Sequence, residues 1–330
     1  MSATQTPHRP PAAAILAVPV VVALVLTLFA WPNARLEPRD LPIGVAGPPP
    51  AADAIEKRLA QQEGAFDLQR YGDEAAARDA IEDRDVYGAF VATPSGPKVL
   101  TASAASPAVA QLLTQAASET RAATEDVVEA GPHATALGSS VLPLVIAGIL
   151  TGIAGVLLSS SALGRAGRVL LASVLTGVLA AVIVQSWLEV VEGAWVANAA
   201  VLGLTVLAIG AALAGLYALI GKAGLLIGAL LMIFVGNPFS AVGSAPELLP
   251  QPAGAIGQLM PPGAGANLLR STGFFDGAGA GTHLMVLAAW SLAGLALLAA
   301  AALRGGRRAG AREREQPRHT DGTEADTVVS

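Results

Sequence analysis

The chain of 330 residues has no cysteine, 14% charged residues and only 4% aromatic residues. Without cysteine it can form neither a disulfide nor a thiolate-bound metal site. The four histidines, His8, His133, His283 and His319, are far apart, and none falls in a zinc-binding spacing such as H-E-x-x-H. We therefore expect neither a metal nor any other cofactor.

Common enzyme motifs are missing as well. Gly221-Lys222 comes closest to a phosphate-binding loop, but Ala223 follows where Ser or Thr is required. Lys222 is better explained as an anchor whose amine reaches the membrane interface. There is no G-x-S-x-G turn, and the acids of segment 73–85 are typical of a solvated helix face. The sequence predicts no enzyme, and the net charge of −5 argues against a nucleic-acid partner.

Apolar runs dominate the chain, in which 53% of the residues are hydrophobic. A run of about 20 apolar residues crosses the hydrocarbon core as a helix. Six runs are predicted to be transmembrane helices, at 12–31, 141–160, 169–187, 195–217, 220–236 and 283–303. No A-x-A cleavage pattern follows the first run, which favours an uncleaved anchor over a signal peptide. The predicted fold class is an all-α polytopic membrane protein with six transmembrane helices.

The positions of lysine and arginine predict the orientation of these helices. Ten cations near the helix ends fall on one side, and the opposite short connections hold only Arg270. The ten are Arg9, Arg165, Arg168, Lys222, Arg304, Arg307, Arg308, Arg312, Arg314 and Arg318. The side rich in cations is cytoplasmic. Residues 1–11 are thus expected to be a cytoplasmic N-terminus, and residues 305–330 a disordered cytoplasmic tail.

Residues 32–138 form the one large polar segment, and the orientation makes it extracellular. Strands are predicted at 41–47, 65–71, 86–92 and 95–103, and helices at 51–62, 73–84 and 106–130. The order βαβαββα predicts a small α/β domain inserted between the first two transmembrane helices.

Three polar residues follow the third apolar run at helical spacing. Gln185, Glu189 and Glu192 would share one face if that helix continued past Trp187. They would then line the outer end of a pathway through the membrane. The alternative is an acidic external turn, bracketed by Trp187 and Trp195 as interfacial residues.

Two pairs of glycines have the spacing that lets helices approach closely. They are Gly148 with Gly152, and Gly224 with Gly228. Packing within the helix bundle and packing at a dimer interface both remain possible from the sequence.

The fifth apolar run is shorter than the others. Only 14 residues separate Lys222 from Asn237, and a helix of that length covers about 21 Å of a core about 30 Å thick. The run ends at Gly236-Asn237-Pro238, and many prolines and glycines follow it.

Two stretches carry a resemblance to a known family. They are FDLQRYGDEAAARDAIEDRDVYGAFV at 66–91, and GNPFSAVGSAPELLP with LMPPGAGANLLRSTGFFDG within 236–277. Together they resemble the type-2 ABC transporter permease superfamily, in particular its YhgE/Pip-like branch of Gram-positive bacteria. The resemblance covers about residues 12–304. It implies a bacterial plasma-membrane protein, acting as a homodimer, that exports a lipophilic or envelope-related substrate while a separate cytoplasmic ATPase subunit hydrolyses ATP.

The resemblance also suggests why the fifth helix is short. In such permeases the chain after this helix re-enters the outer leaflet, so 237–281 is expected to fold back over the bundle, with short helices at 257–260 and 266–272. Asn237, Pro238, Pro261, Pro262 and Arg270 are the candidate residues of this re-entrant segment. The alternative is a surface loop above a short helix that thins the bilayer.

One departure from the family pattern leaves a second function open. The loop 161–168, where Arg165 and Arg168 would face the ATPase, is only about eight residues long. Such a short loop leaves little surface for an ATPase to bind. If no ATPase binds, the chain would be a cell-envelope scaffold or receptor, whose extracellular domain binds a partner and whose helices serve as a platform.

Overall fold

The structure is a computed structural model that describes residues 12–315. The helices are α1 (Ala12–Ala34), α2 (Pro49–Leu59), α3 (Glu74–Glu82), α4 (Pro107–Thr120), α5 (Leu137–Leu157), α6 (Ala162–Ala181), α7 (Trp195–Ile220), α8 (Lys222–Leu231), α9 (Ala253–Gln258), α10 (Pro261–Phe274) and α11 (Ala280–Glu315). The strands are β1 (Leu41–Ala46), β2 (Phe66–Tyr71), β3 (Gly88–Thr93), β4 (Gly96–Thr101) and β5 (Ala123–Asp126). Single π-helical turns, Val182–Trp187 and Met232–Gly236, extend α6 and α8.

Among the described residues, four helices are long and apolar enough to cross a membrane. They are Leu137–Leu157, Ala162–Trp187, Trp195–Ile220 and Ala280–Arg304. The first and fifth predicted runs correspond to shorter apolar helices, Val18–Ala34 and Lys222–Gly236. The architecture is that of a helical membrane protein with a small sheet. The expected disorder from residue 305 onward is wrong as far as Glu315, because α11 continues to that residue, and residues 1–11 and 316–330 lie outside the described part.

Helix α7 lies at the centre of the bundle. It is apolar on all sides, and α5, α6, α8, α10 and α11 pack against it. Gly177 of α6 meets Gly203 of α7 so closely that a Cβ atom on Gly177 would lie 2.6 Å from the Ala199 carbonyl oxygen. In lipid, such close backbone contact is a main source of helix association.

Both glycine pairs singled out in the sequence lie at contacts within this chain. A Cβ atom on Gly148 would lie 2.7 Å from Ile209 of α7. Gly228 of α8 packs on Leu213 of the same central helix. The pairs therefore serve packing within the bundle.

The five strands form one sheet in the order β2-β1-β3-β4-β5. β1 is parallel to β2 and β3, β4 is antiparallel to β3, and β5 is parallel to β4. Alternate residues of β1 point to opposite faces: Ile43 packs with Leu113 of α4, while Ala46 packs with Ile81 of α3. Helix α2 lies on the α4 face.

The predicted helix 106–130 is wrong in its second half. Helix α4 ends at Thr120, because Arg121 adopts a left-handed conformation with φ of 53°. The chain then forms β5, which pairs with β4. Glu125 of β5 forms ion pairs of 2.6 Å with Arg78 and Lys98, which hold the strand at this edge.

The segment 237–281 packs directly against the unit formed by the sheet and the helices α2, α3 and α4, which together we call the α/β domain. Ala245 and Leu248 enter the core beside Leu41, and Phe275 enters the core on the other face of the sheet. The backbone NH of Glu37 also donates to Leu248 O at 3.1 Å. The domain and this segment therefore share one hydrophobic interior.

The short helices predicted in this segment are longer than expected. The structure has α9 at 253–258 and α10 at 261–274, in place of 257–260 and 266–272. Pro261 and Pro262 occupy the first positions of α10, where the missing backbone NH of proline costs nothing. These prolines begin a helix, whereas the sequence predicted a helix only from residue 266.

Two glycines of α6 should respond oppositely to the same substitution. Gly177→Ala would push a methyl group into α7, whereas Gly167 has no neighbour within 4 Å of an added Cβ. We expect Gly177→Ala to lower the melting temperature of the detergent-solubilised protein. Gly167→Ala should leave it unchanged or raise it, since alanine stabilises a helix by about 1 kcal/mol over glycine.

Circular dichroism at 222 nm during heating measures both transitions. Equal melting temperatures for the two variants would contradict the close contact between α6 and α7.

Candidate functional site

Helix α10 separates two cavities. One face of α10, whose residues are spaced three and four apart, lines an apolar cavity within the bundle; these residues are Pro262, Gly265, Ala266 and Leu269. Asn267 lies on the opposite face, toward the α/β domain, and lines a polar cavity. The same helix is therefore part of both candidate sites.

Arg84 joins the α/β domain to α10. Its side chain donates to the carbonyl oxygen of Asn267 at 3.1 Å, to Oδ1 of the same residue at 3.2 Å and to Ser271 Oγ. Its guanidinium also lies 5.2 Å from the ring centre of Phe275. Arg84 follows the end of α3 with φ of 64°, a conformation that costs a non-glycine residue roughly 1 kcal/mol. The guanidinium contacts offset this cost.

Arg270 reaches the same acceptor from within α10. It is 3% exposed, and it donates to Asn267 Oδ1 at 3.2 Å and to Val242 O at 2.9 Å. The Asn267 amide in turn donates to Gln258 Oε1 at 2.7 Å. Two guanidinium groups from distant parts of the chain thus share one neutral oxygen atom.

Tyr87 and Glu247 form a second link between domain and segment. The Tyr87 hydroxyl donates to Glu247 Oε2 at 3.0 Å. Burial raises the pKa of Tyr87, and the negative charge of Glu247 raises it further. Burial lowers the pKa of Arg84, and the nearby Tyr87 and Glu247 act in the opposite direction.

A polar cavity of about 380 Å³ lies between these groups. We call it the interdomain cavity. It is lined by Arg84, Asp85, Tyr87, Glu247, Asn267 and His283, with Gln251 and Gln258 on its α9 side. Its wall therefore offers a guanidinium, an imidazole, carboxamides and two carboxylates.

An apolar cavity of about 340 Å³ lies between α5, α6, α7 and α10. Leu144, Thr176, Ala180 and Leu202 are among the residues that line it. The Thr205 hydroxyl in its wall donates to its own helix at 2.9 Å, so the lining presents little free polarity. The cavity suits a hydrocarbon chain.

Gln185 connects α6, α7 and α10. Asn198, which is buried, donates to Gln185 Oε1 at 2.9 Å and to Glu192 O at 2.6 Å. Thr272 Oγ1 donates to Asn198 Oδ1 at 2.7 Å, and Gln185 Nε2 donates to Gly193 O at 2.9 Å. Gln185 is therefore occupied by bonds within the protein.

Gln185, Glu189 and Glu192 do not share one helical face, because the condition for it, a helix that continues past Trp187, is not met. The helix ends at Trp187, and Glu189 adopts φ of 52° in the turn that follows. Both glutamates are exposed, as the acidic-turn alternative requires. They nevertheless line a polar cavity together with His133.

The other predicted residues fall into two places. A Cβ atom on Gly236 would lie 2.9 Å from Pro262, so the Asn237-Pro238 corner packs near the start of α10, where Pro261 also lies. Arg270 lies two turns further along this helix.

Arg165 and Arg168 do not lie in a loop, because α6 begins at Ala162, where Ser161 caps it. Arg165 donates to Ser159 O at 3.1 Å and stacks on Tyr217 with 5.2 Å to the ring centre. Arg168 is exposed. Only Arg168 is directed to solvent as an ATPase-facing residue would be.

Several residues of these networks were missed in the sequence. Asn198 and Asn267 are carboxamides in apolar surroundings. Because a buried carboxamide needs hydrogen-bond partners, this contrast could have indicated both residues from the sequence. Arg84 and His283 carried no such signal, because their surroundings are formed by chain far away in sequence.

Similarity to other proteins adds nothing to this site. No protein-family model, no curated protein and no solved structure matches the chain. Within residues 12–315, no group of three or more His, Asp or Glu side chains is placed to hold a metal ion.

Arg84→Gly removes the guanidinium yet suits the local backbone, since glycine adopts positive φ without strain. We expect the α/β domain to separate more easily from α10. Hydrogen exchange followed by mass spectrometry should show faster amide exchange in residues 261–274 and 245–249, by about tenfold or more if a link of about 1.4 kcal/mol is lost.

Arg121→Gly is the matched control. Arg121 also follows a helix with positive φ, but it is exposed. Exchange in α10 should be unchanged in this variant. Unchanged exchange in Arg84→Gly as well would show that Arg84 does not hold the domain in place.

Proposed function

We propose that this protein is a permease-like membrane subunit that takes a lipophilic molecule from the bilayer into the apolar cavity between α5, α6, α7 and α10. The cavity itself carries the proposal. Four different helices contribute its apolar wall, and three of them, α5, α6 and α7, are long enough to cross a membrane. A helix bundle that served only as an anchor would not require such a space.

The proposed topology has six transmembrane helices in a bacterial plasma membrane, with both termini cytoplasmic. The α/β domain is then extracellular, and 237–281 is a re-entrant segment above the short α8. The burial of α10 supports this arrangement over a surface loop, because a chain at membrane depth must be covered by protein. By resemblance, the working unit is a homodimer. No residue is assigned a catalytic role, and no nucleic-acid partner is proposed.

A cavity-filling substitution tests this function directly. Ala180 lines the apolar cavity, so Ala180→Phe would occupy part of its volume. We expect labelling by a phospholipid with a diazirine on its acyl chain to fall several-fold at peptides of α5 and α7. Digestion and mass spectrometry of the labelled protein measure the change.

Leu171→Phe serves as the control, because Leu171 lies on the same helix but is 61% exposed on its outer face. This variant should be labelled as the wild type is. Equal labelling in both variants would contradict binding of an acyl chain in the cavity.

The scaffold function remains the second candidate, and the position of Arg165 favours it. This guanidinium is bound within the chain, which leaves little basic surface for an ATPase at the start of α6. In this alternative the groove between α2 and α4, lined by Ile55, Phe90 and Ala116, would receive a partner of the α/β domain.

Purification from the native membrane separates the two functions. For a permease we expect a stoichiometric ABC ATPase to copurify and to be lost in Arg168→Glu, since Arg168 is the exposed cation of this region. Thermal unfolding confirms that the variant is folded. Recovery of envelope proteins alone, with no ATPase, would favour the scaffold.

A further inference from the structure

In residues 12–315, two guanidinium groups at this junction have no carboxylate within 4.0 Å: Arg84, which is partly buried and lines the interdomain cavity, and Arg270, which is buried behind it. Among the described side chains, neither Arg84 nor Arg270 forms an ion pair within 4.0 Å. Their shared acceptor, Asn267 Oδ1, is a dipole and leaves the charge in place. A buried guanidinium without a counter-charge is costly. An anion bound beside Arg84 would supply the counter-charge that is missing within hydrogen-bond distance.

Further polar groups without partners lie near the same space. His283 Nδ1 and Arg270 Nε are buried and have no hydrogen-bond partner. His283 lines the cavity together with Arg84, and Arg270 lies directly behind Asn267. Gln251 and Gln258 add carboxamides to the wall. A tetrahedral oxyanion accepts several such bonds at once.

We propose that the interdomain cavity binds a phosphate group, with Arg84 as the main contact and His283 as a second donor. The volume of about 380 Å³ accommodates a phosphate and a small substituent. This proposal does not rest on the lipophilic function, because the apolar cavity lies on the other face of α10.

Two carboxylates line the same cavity and limit its affinity for a phosphate group. Glu247 accepts a bond from Tyr87, and Asp85 lies at the exposed side. Removing one of these negative charges should therefore tighten the binding of an anion. In an anion site, removing a carboxylate charge strengthens binding while removing Arg84 weakens it. In an interface whose charges only hold the fold together, neither change would strengthen the binding of an anion.

The phosphate can belong to a lipid headgroup or to a soluble molecule. His283 lies in the first turn of α11, next to Leu284 and Met285, which are exposed. A lipid could therefore present its headgroup beside this helix. A soluble phosphate ester would reach the same atoms from the aqueous side.

The experiment applies two probes, inorganic phosphate and phosphatidylglycerol, to the full-length protein. Calorimetric titration with inorganic phosphate measures the soluble source. Retention of phosphatidylglycerol over phosphatidylcholine, by native mass spectrometry from detergent, measures the headgroup source. Glu247→Gln keeps an acceptor for Tyr87 and should tighten binding of the recognised probe about three- to tenfold, as for one charge removed nearby. Arg84→Gly should weaken it at least tenfold.

Glu63→Gln, an exposed substitution of the same type outside the cavity, should change neither probe. Phosphate binding that responds to these variants supports a soluble ligand, and selective retention of phosphatidylglycerol supports a lipid headgroup. If Arg84→Gly does not fold, the comparison of probe binding between Glu247→Gln and Glu63→Gln still tests the proposal. No binding of either probe by wild type and Glu247→Gln, or an equal effect of both glutamate variants, would overturn the proposal.

Discussion

The carboxamide of Asn267 holds three parts of the molecule in one arrangement. Its oxygen accepts bonds from Arg84 of the α/β domain and Arg270 of its own helix, and its nitrogen donates to Gln258 of α9. Because all of these groups lie at the same buried junction, none can move without leaving another polar group unsatisfied, which costs roughly 1–3 kcal/mol. The positions of the domain, α9 and α10 are therefore determined together.

The depth of α10 depends on small residues. Without a hydrophobic driving force between helices in lipid, close packing must hold the bundle together. Gly265 of α10 faces Thr205 of α7, and an added Cβ would lie 2.6 Å from the threonine methyl group. Gly177 and Gly203 allow the same proximity between α6 and α7. The abundance of glycine and alanine made sequence motifs hard to distinguish from chance. The same small residues let α10, which carries Asn267, pack closely on the helix bundle.

Apolar length and periodicity predicted the helices well but not their ends. The third run was placed at 169–187, whereas α6 begins at Ala162, because Ser161 caps it by accepting a bond from Gly164 at 3.0 Å. β5 was missed because it follows a helix of regular apolar spacing and exists through pairing with β4. Arg84 could not have been predicted as an interface residue, since Asn267 is 183 positions away. Local pattern determines elements, while partners distant in the chain determine the sites.

The two faces of α10 give the fold a means of coupling its two cavities. Asn267 and Ser271 bind Arg84 on one face, and Ala266 and Leu269 line the apolar cavity on the other. A shift of the α/β domain that kept the Arg84 bonds intact would carry α10 with it, because a helix of 14 residues moves as a rigid body. The wall of the apolar cavity would then move with it. In the proposed function, the state of the extracellular domain would thus set the space available to a lipophilic substrate, without any direct contact between the domain and that substrate.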